Sequence, residues 1–163
     1  MPAANLEEQL VKYLADAHSI ETQALAQLRT APDIAVDAGL VAAFREHLAE
    51  TEGQERLIRE RLEAHGGKPS ALKEAVMAAG GKGFILFARS QPDTPGKLAA
   101  FAFAFEHLEI GGYELLKRVA LKAGDGETVR VVEQILAEER ATADRVQAAF
   151  DSAAEASLEA VGA

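Results

Sequence analysis

FEHLEIGGYELL, residues 105–116, sets Glu106 and Glu109 three positions apart. On an α-helix that spacing brings both carboxylates to one face, about one turn apart. Outward from this stretch, HSIE at 18–21 and HLAE at 47–50 repeat the spacing with a histidine and a glutamate, and a fourth segment carries Glu138 and Glu139. Carboxylates that recur on several apolar helices are costly to bury unless something positive neutralises them. The pattern points to helices gathered around a dinuclear metal centre.

The flanking sequence supplies the helices. Asn5 with Glu8 reads as a capping box, after which Leu6, Leu10, Leu14, Ala17, Glu21, Leu25 and Leu28 form one helical stripe. Pro32 breaks the pattern, and Asp33 or Asp37 caps a second helix with the stripe Leu40, Phe44, His47, Thr51, Gln54, Ile58 and Leu62. Gly66-Gly67 ends it, and the short connection makes the pair an antiparallel hairpin. Ser70 caps a less regular segment to about Ser90, and QPDTPG follows. Thr94 as N-cap and Pro95 at the first helical position open a third long helix, which carries Phe101, Phe105, Leu108, Leu115, Leu116 and Val119 and stops near Gly124. Asp125 caps the fourth, where Val132, Ile135, Leu136, Glu139, Val146 and Phe150 share a face and Glu139 is the inward member of its pair. Residues 153–163 read as a weakly ordered tail. A helix of about 28 residues spans about 42 Å, so residues 68–94 must cross over along the bundle to join the hairpins. The expected fold is all-α: a four-helix bundle of two antiparallel hairpins with a helical crossover.

Composition narrows the chemistry. The chain of 163 residues has no cysteine, which excludes disulfides, thiolate zinc sites and iron–sulfur clusters and leaves oxygen and imidazole as metal ligands. Iron or manganese suits such a donor set. No apolar run reaches the roughly 18 residues of a membrane span, and the first residues lack a secretion signal, so a cytoplasmic protein without a membrane partner is expected. A formal charge of −9 with no compensating basic cluster opposes nucleic-acid binding.

Glu21, Glu50, Glu106, Glu109 and Glu139 are the expected ligands, supplying terminal and bridging oxygens to two divalent ions, Fe(II) or Mn(II). Without metal, several of them need raised pKa values or solvation. His47 lies on the core line, and a hydrogen bond from behind to a ligating carboxylate is the preferred role for it over direct ligation. His18 and His107 point about 100° away from their neighbouring glutamates, and His65 suits a helix C-terminus. Gln54, four residues after Glu50, is a weak ligand or orienting group; Tyr113, four after Glu109, is a hydrogen-bond donor to the site; Glu138, nearer the edge of its stripe, is a weak ligand or a hydrogen-bonding group behind the ligands. The run FAFAF at 101–105 reads as packing that keeps water from the site.

LEEQLVKYLADAHSIETQ at 6–23, FREHLAETEGQERL at 44–57, FEHLEIGGYELL at 105–116 and ILAEERATAD at 135–144 together resemble the YciE/YciF family of ferritin-like proteins over nearly the whole chain. The resemblance implies one ferritin-like domain over residues 1–163, a two-metal carboxylate site and a homodimer. It carries the family's pattern onto Glu21; onto His47, Glu50, Thr51 and Gln54; onto Glu106 and Glu109; and onto Glu139 with Glu138 adjacent. Compared with ferritins proper, the second helix reads His-then-Glu and Thr142 stands where a histidine is expected, which sets the chain apart from iron-storing ferroxidases. The expected function is a di-iron or di-manganese protein that reacts with oxygen or peroxide in stress protection. The alternative is a noncatalytic helical homodimer with a structural metal.

Overall fold

The computed structural model describes residues 3–163, with side chains from Asn5 onward. Among the described residues seven helices follow one another: α1 (Ala3–Leu28), α2 (Ala31–Ile34), α3 (Ala38–Ala64), α4 (Ala71–Arg89), α5 (Thr94–Ala123), α6 (Gly126–Ala148) and α7 (Phe150–Ala160). The long helices α1, α3, α6 and α5 pack in that cyclic order, each against the next, while α4 crosses over along α1 and touches α5. This is the expected pair of hairpins with its crossover. No helix among the described residues is long and apolar enough to cross a membrane.

Local chemistry sets most of the boundaries. The Asp37 carboxylate accepts from the Leu40 N–H at 2.8 Å and starts α3, immediately after Val36 turns the chain at φ 59°. At the other end of α3, Gly66 takes φ 73° and Gly67 N–H returns to the Leu62 carbonyl at 2.9 Å, closing the helix with a left-handed residue that glycine adopts without strain. Gly124 at φ 75° ends α5, and Asp125 caps α6 through the Thr128 N–H at 3.1 Å.

Three expectations are corrected, on Asn5, on Thr94 and on the tail. Asn5 lies inside α1, already helical at Ala3, so it does not cap that helix. Asp93, not Thr94, occupies the N-cap of α5; the Thr94 hydroxyl instead donates back to the Ala88 and Gln91 carbonyls and ties α5 to the end of α4. On α5 itself, Glu109, Tyr113 and Leu116 occupy the inward face, and Leu108 and Leu115, 56% and 54% exposed, lie on its outer side. The tail from about 153, expected to be weakly ordered, is instead helical as far as Ala160. The chain breaks at Ala149 and continues as α7, which buries Ala153 against α5 and holds the Gly96 N–H with the Ser157 hydroxyl at 2.8 Å.

The core comes in two blocks. One gathers Leu28, Leu40, Phe44, Leu98, Phe105 and Val146; the other gathers Leu10, Leu14, Ile58, Leu62, Leu116 and Ile135. On each long helix the polar residues Glu21, His47, Gln54, Glu106, Glu109 and Glu139 fall between the two. Buried apolar area drives the ends of the bundle together, and a polar layer crosses its middle.

Candidate metal centre

Every long helix contributes to that layer: α1 gives Glu21, α3 gives His47 and Gln54, α5 gives Glu106 and Glu109, and α6 gives Glu139, none more than 3% exposed. One potential ligand atom from each of His47, Glu106, Glu109 and Glu139 lies within 4.8 Å of the others. Glu21 adjoins the group and accepts a hydrogen bond from the Tyr113 hydroxyl. Glu21 Oε2, His47 Nε2, Glu106 Oε2, Gln54 Oε1 and both oxygens of Glu109 and Glu139 are buried without a hydrogen-bond partner. Buried polar atoms nearly always have one. So many unpartnered atoms converging from four helices fit cations, and an oxygen-rich set with one imidazole fits iron or manganese.

Electrostatics agree. Burial, and next the neighbouring Glu139 charge, push the Glu21, Glu106 and Glu109 carboxyls well above the ordinary carboxylate range. Burial, with the Glu21 charge behind it, raises Tyr113 in the same way, so its phenol keeps the proton it donates. Ionising all these carboxylates together requires positive charge within the layer.

Glu50, expected among the ligands, stands outside the converging group. Its Oε2 accepts from Arg145 Nη2 at 2.6 Å and from the Thr142 hydroxyl at 3.0 Å, and its side chain is 22% exposed. Burial alone would raise its pKa; the bond from His47 and the Arg145 charge outweigh burial and hold it below its ordinary value. His47, expected behind the carboxylates, is within the group. Its Nδ1 faces Glu50 Oε2 at 3.4 Å and its Nε2 faces Glu106 Oε1 at 3.3 Å. The physical reason is helical phase: His47 is on the inward line of α3 and Glu50 on its margin, where Arg145 reaches it. Arg145 was not foreseen, although its spacing of three from Thr142 on α6 was the available signal. With Glu50 neutralised by Arg145, four inner carboxylates remain, those of Glu21, Glu106, Glu109 and Glu139.

The other polar residues sit around this centre. The Gln54 amide donates to Glu138 Oε2 at 3.0 Å and links α3 to α6, leaving its oxygen towards the layer. Glu138 is half-buried and also accepts from Gln134 at 3.0 Å. His18 turns away from Glu21 and sets its ring nitrogens 2.8 Å from Glu55 and 3.0 Å from Glu74, joining α1 to α3 and α4. His107 is exposed and donates to the Phe103 carbonyl at 2.8 Å. A groove of about 180 Å³ between α1 and α5 reaches Glu109 and Tyr113 past Asp16 and Gly112.

Fold and layer together define a ferritin-like helical bundle with a carboxylate-rich centre. Within that class the chain belongs to the family described as a domain of unknown function, DUF892, whose model matches residues 5–159. It is similar to a Xanthomonas campestris protein of known structure, with 26% identity and a TM-score of 0.79 over 95% of this chain and 97% of that one. The Escherichia coli stress protein YciF is 26% identical with a TM-score of 0.75, covering 91% of this chain and 96% of that one. YcfI of Rhodopseudomonas palustris, for which a structural role has been put forward, is also 26% identical, with a TM-score of 0.76 over 87% and 92% of the two chains. A Desulfovibrio desulfuricans bacterioferritin with a di-iron site shares the fold at a TM-score of 0.71 and 17% identity, over 93% of this chain and 83% of that one. A search of curated protein sequences finds no match.

Proposed function

We propose that this chain binds two divalent metal ions, iron in the first instance and manganese as the alternative, and uses them to react with oxygen or peroxide in stress protection. The observation that carries the reading is the set of unpartnered carboxylate oxygens converging from α1, α5 and α6, with His47 Nε2 among them. Glu21, Glu106, Glu109, Glu139 and His47 are the proposed ligands. Glu50 is reassigned as the carboxylate that accepts the His47 Nδ1 proton, which directs the Nε2 lone pair inward. Gln54 is a weak ligand at most, and Glu138 steadies it. Bound iron would supply the electrons for reducing an oxidant. The Tyr113 hydroxyl holds Glu21 in place, and the two apolar blocks exclude water from above and below.

The test is anaerobic Fe(II) titration with elemental analysis. Uptake approaching two ions per chain, reduced in Glu109→Ala, is the expected result; no stoichiometric uptake overturns the reading. A colour change on adding oxygen or peroxide then separates redox chemistry from mere binding. A noncatalytic structural homodimer is the second reading. The structural role put forward for YcfI and the exposed Leu108 and Leu115 on the outside of α5 favour it. Stoichiometric metal without any response to oxidant would select it.

A further inference from the structure

A small cavity shares a wall with the candidate metal centre. It lies beneath α4 and is walled by Phe44, Phe84, Phe101, Phe105, Leu28 and Leu98; among its few polar members are His47 and Glu106, which also belong to the converging ligand group. The space open to the centre of a water-sized sphere is about 20 Å³, where roughly 10–15 Å³ admits one water. It therefore suits a diatomic molecule and excludes an organic substrate of drug-like size. Phe84 on α4 stacks on Phe101 of α5 and covers the outer side. α4 is held close by Gly81, where a Cβ would stand 2.8 Å from the Gln23 carbonyl of α1.

Chemistry selects the occupant. Apolar cavities stay dry and take apolar guests, and dioxygen has no donor to satisfy. Hydrogen peroxide carries two O–H donors and would exchange their bonds to water for aromatic rings and aliphatic carbon, which costs free energy. Three polar wall atoms, His47 Nε2, Glu106 Oε2 and Gln27 Nε2, have no partner; bound ions would take the first two, leaving peroxide only the Gln27 N–H, which can meet one of its lone pairs but neither of its O–H groups. We propose that this cavity is a dioxygen site, holding the gas against the His47–Glu106 edge of the metal centre and discriminating against peroxide. Use of the oxygen rests on the metal reading above; occupancy of the cavity does not.

The test uses dissolved oxygen under pressure as a paramagnetic probe in NMR of the metal-free full chain. The methyls of Ala24, Leu98 and Ala102 should relax at least threefold faster than those of equally buried residues in the opposite apolar block. Ala102→Leu, or the smaller filling Ala24→Val if the first disturbs the fold, should abolish that excess. No excess in the wild-type chain, or an excess that survives filling, overturns the proposal. With Fe(II) bound, Ala102→Leu should slow oxidation by dioxygen at least tenfold while oxidation by peroxide changes less than twofold; equal slowing of both overturns the discrimination. Failure to bind Fe(II) would instead overturn the metal reading, and the relaxation result would still decide whether the cavity holds oxygen.

Discussion

Two clusters of histidine and carboxylate lie at different heights in this bundle, and they are built to opposite rules. At the end of the bundle, His65 reaches Glu7 through Nδ1 at 2.5 Å and Asp125 through Nε2 at 2.7 Å, while Arg61 Nη2 bonds the same Asp125 at 3.0 Å. Each acid there meets a base, and α1, α3 and α6 are fastened by their own side chains. In the middle layer Glu109 and Glu139 have no partner for either oxygen. A cluster that satisfies itself is a structural clasp, whereas one that cannot is completed from outside. Residue types alone do not separate the two; the whereabouts of arginine does.

The contrast can be broken or sharpened by measurement. The largest effect expected is from metal: at a thousandfold excess over Kd, one occupied site should stabilise the chain by about 4 kcal/mol, seen as a raised midpoint in urea. Glu109→Ala should remove that gain, and Asp125→Ala should keep it. Loss of the gain in both would mean that the clusters are not independent. In the absence of metal, Asp125→Ala should cost about 3 kcal/mol, combining a lost helix cap with an unpaired Arg61. Metal-free Glu109→Met should have the opposite sign, stabilising by about 2 kcal/mol because an uncompensated buried acid is replaced by apolar volume. That gain should grow as pH rises above 4.5, since the folded chain holds the Glu109 proton to higher pH than the unfolded chain does. A destabilised Glu109→Met would refute the claim that the chain's own side chains leave Glu109 uncompensated.

The smallest effect belongs to His65. Burial lowers its pKa, but the bonds to Glu7 and Asp125 outweigh burial and raise it above the ordinary 6.5. The clasp's contribution is thus complete below that pH and is lost as pH climbs through the raised folded value. His65→Gln should cost about 1 kcal/mol at pH 6, given the exposure of Glu7, and the difference from wild type should shrink by pH 9. A pH-independent difference would show that His65 acts by packing instead of charge.

The sequence reading succeeded where a residue's role depends on its own helix. The inward stripe of α3 from Leu40 to Leu62 and the caps at Asp37, Ser70 and Asp125 are the ones observed. The run FAFAF, read as packing, does pack, with Phe101 and Phe105 lining the cavity beside the centre. It fell short where two helices had to be known together. Glu50 looks like a ligand until Arg145, on α6, is seen to hold it. His65 looks like a helix-end residue until Glu7 and Asp125 arrive from α1 and α6.

Periodicity along one chain segment is a local property, and by itself it determined the all-α bundle, its crossover and the carboxylates facing inward. Pairing between segments is not local. Only the tertiary structure decided that His47 faces into the layer while Glu50 is held outside it, that the tail forms α7, and that an apolar cavity abuts the centre, because each depends on which side chain from another helix fills or neutralises the space.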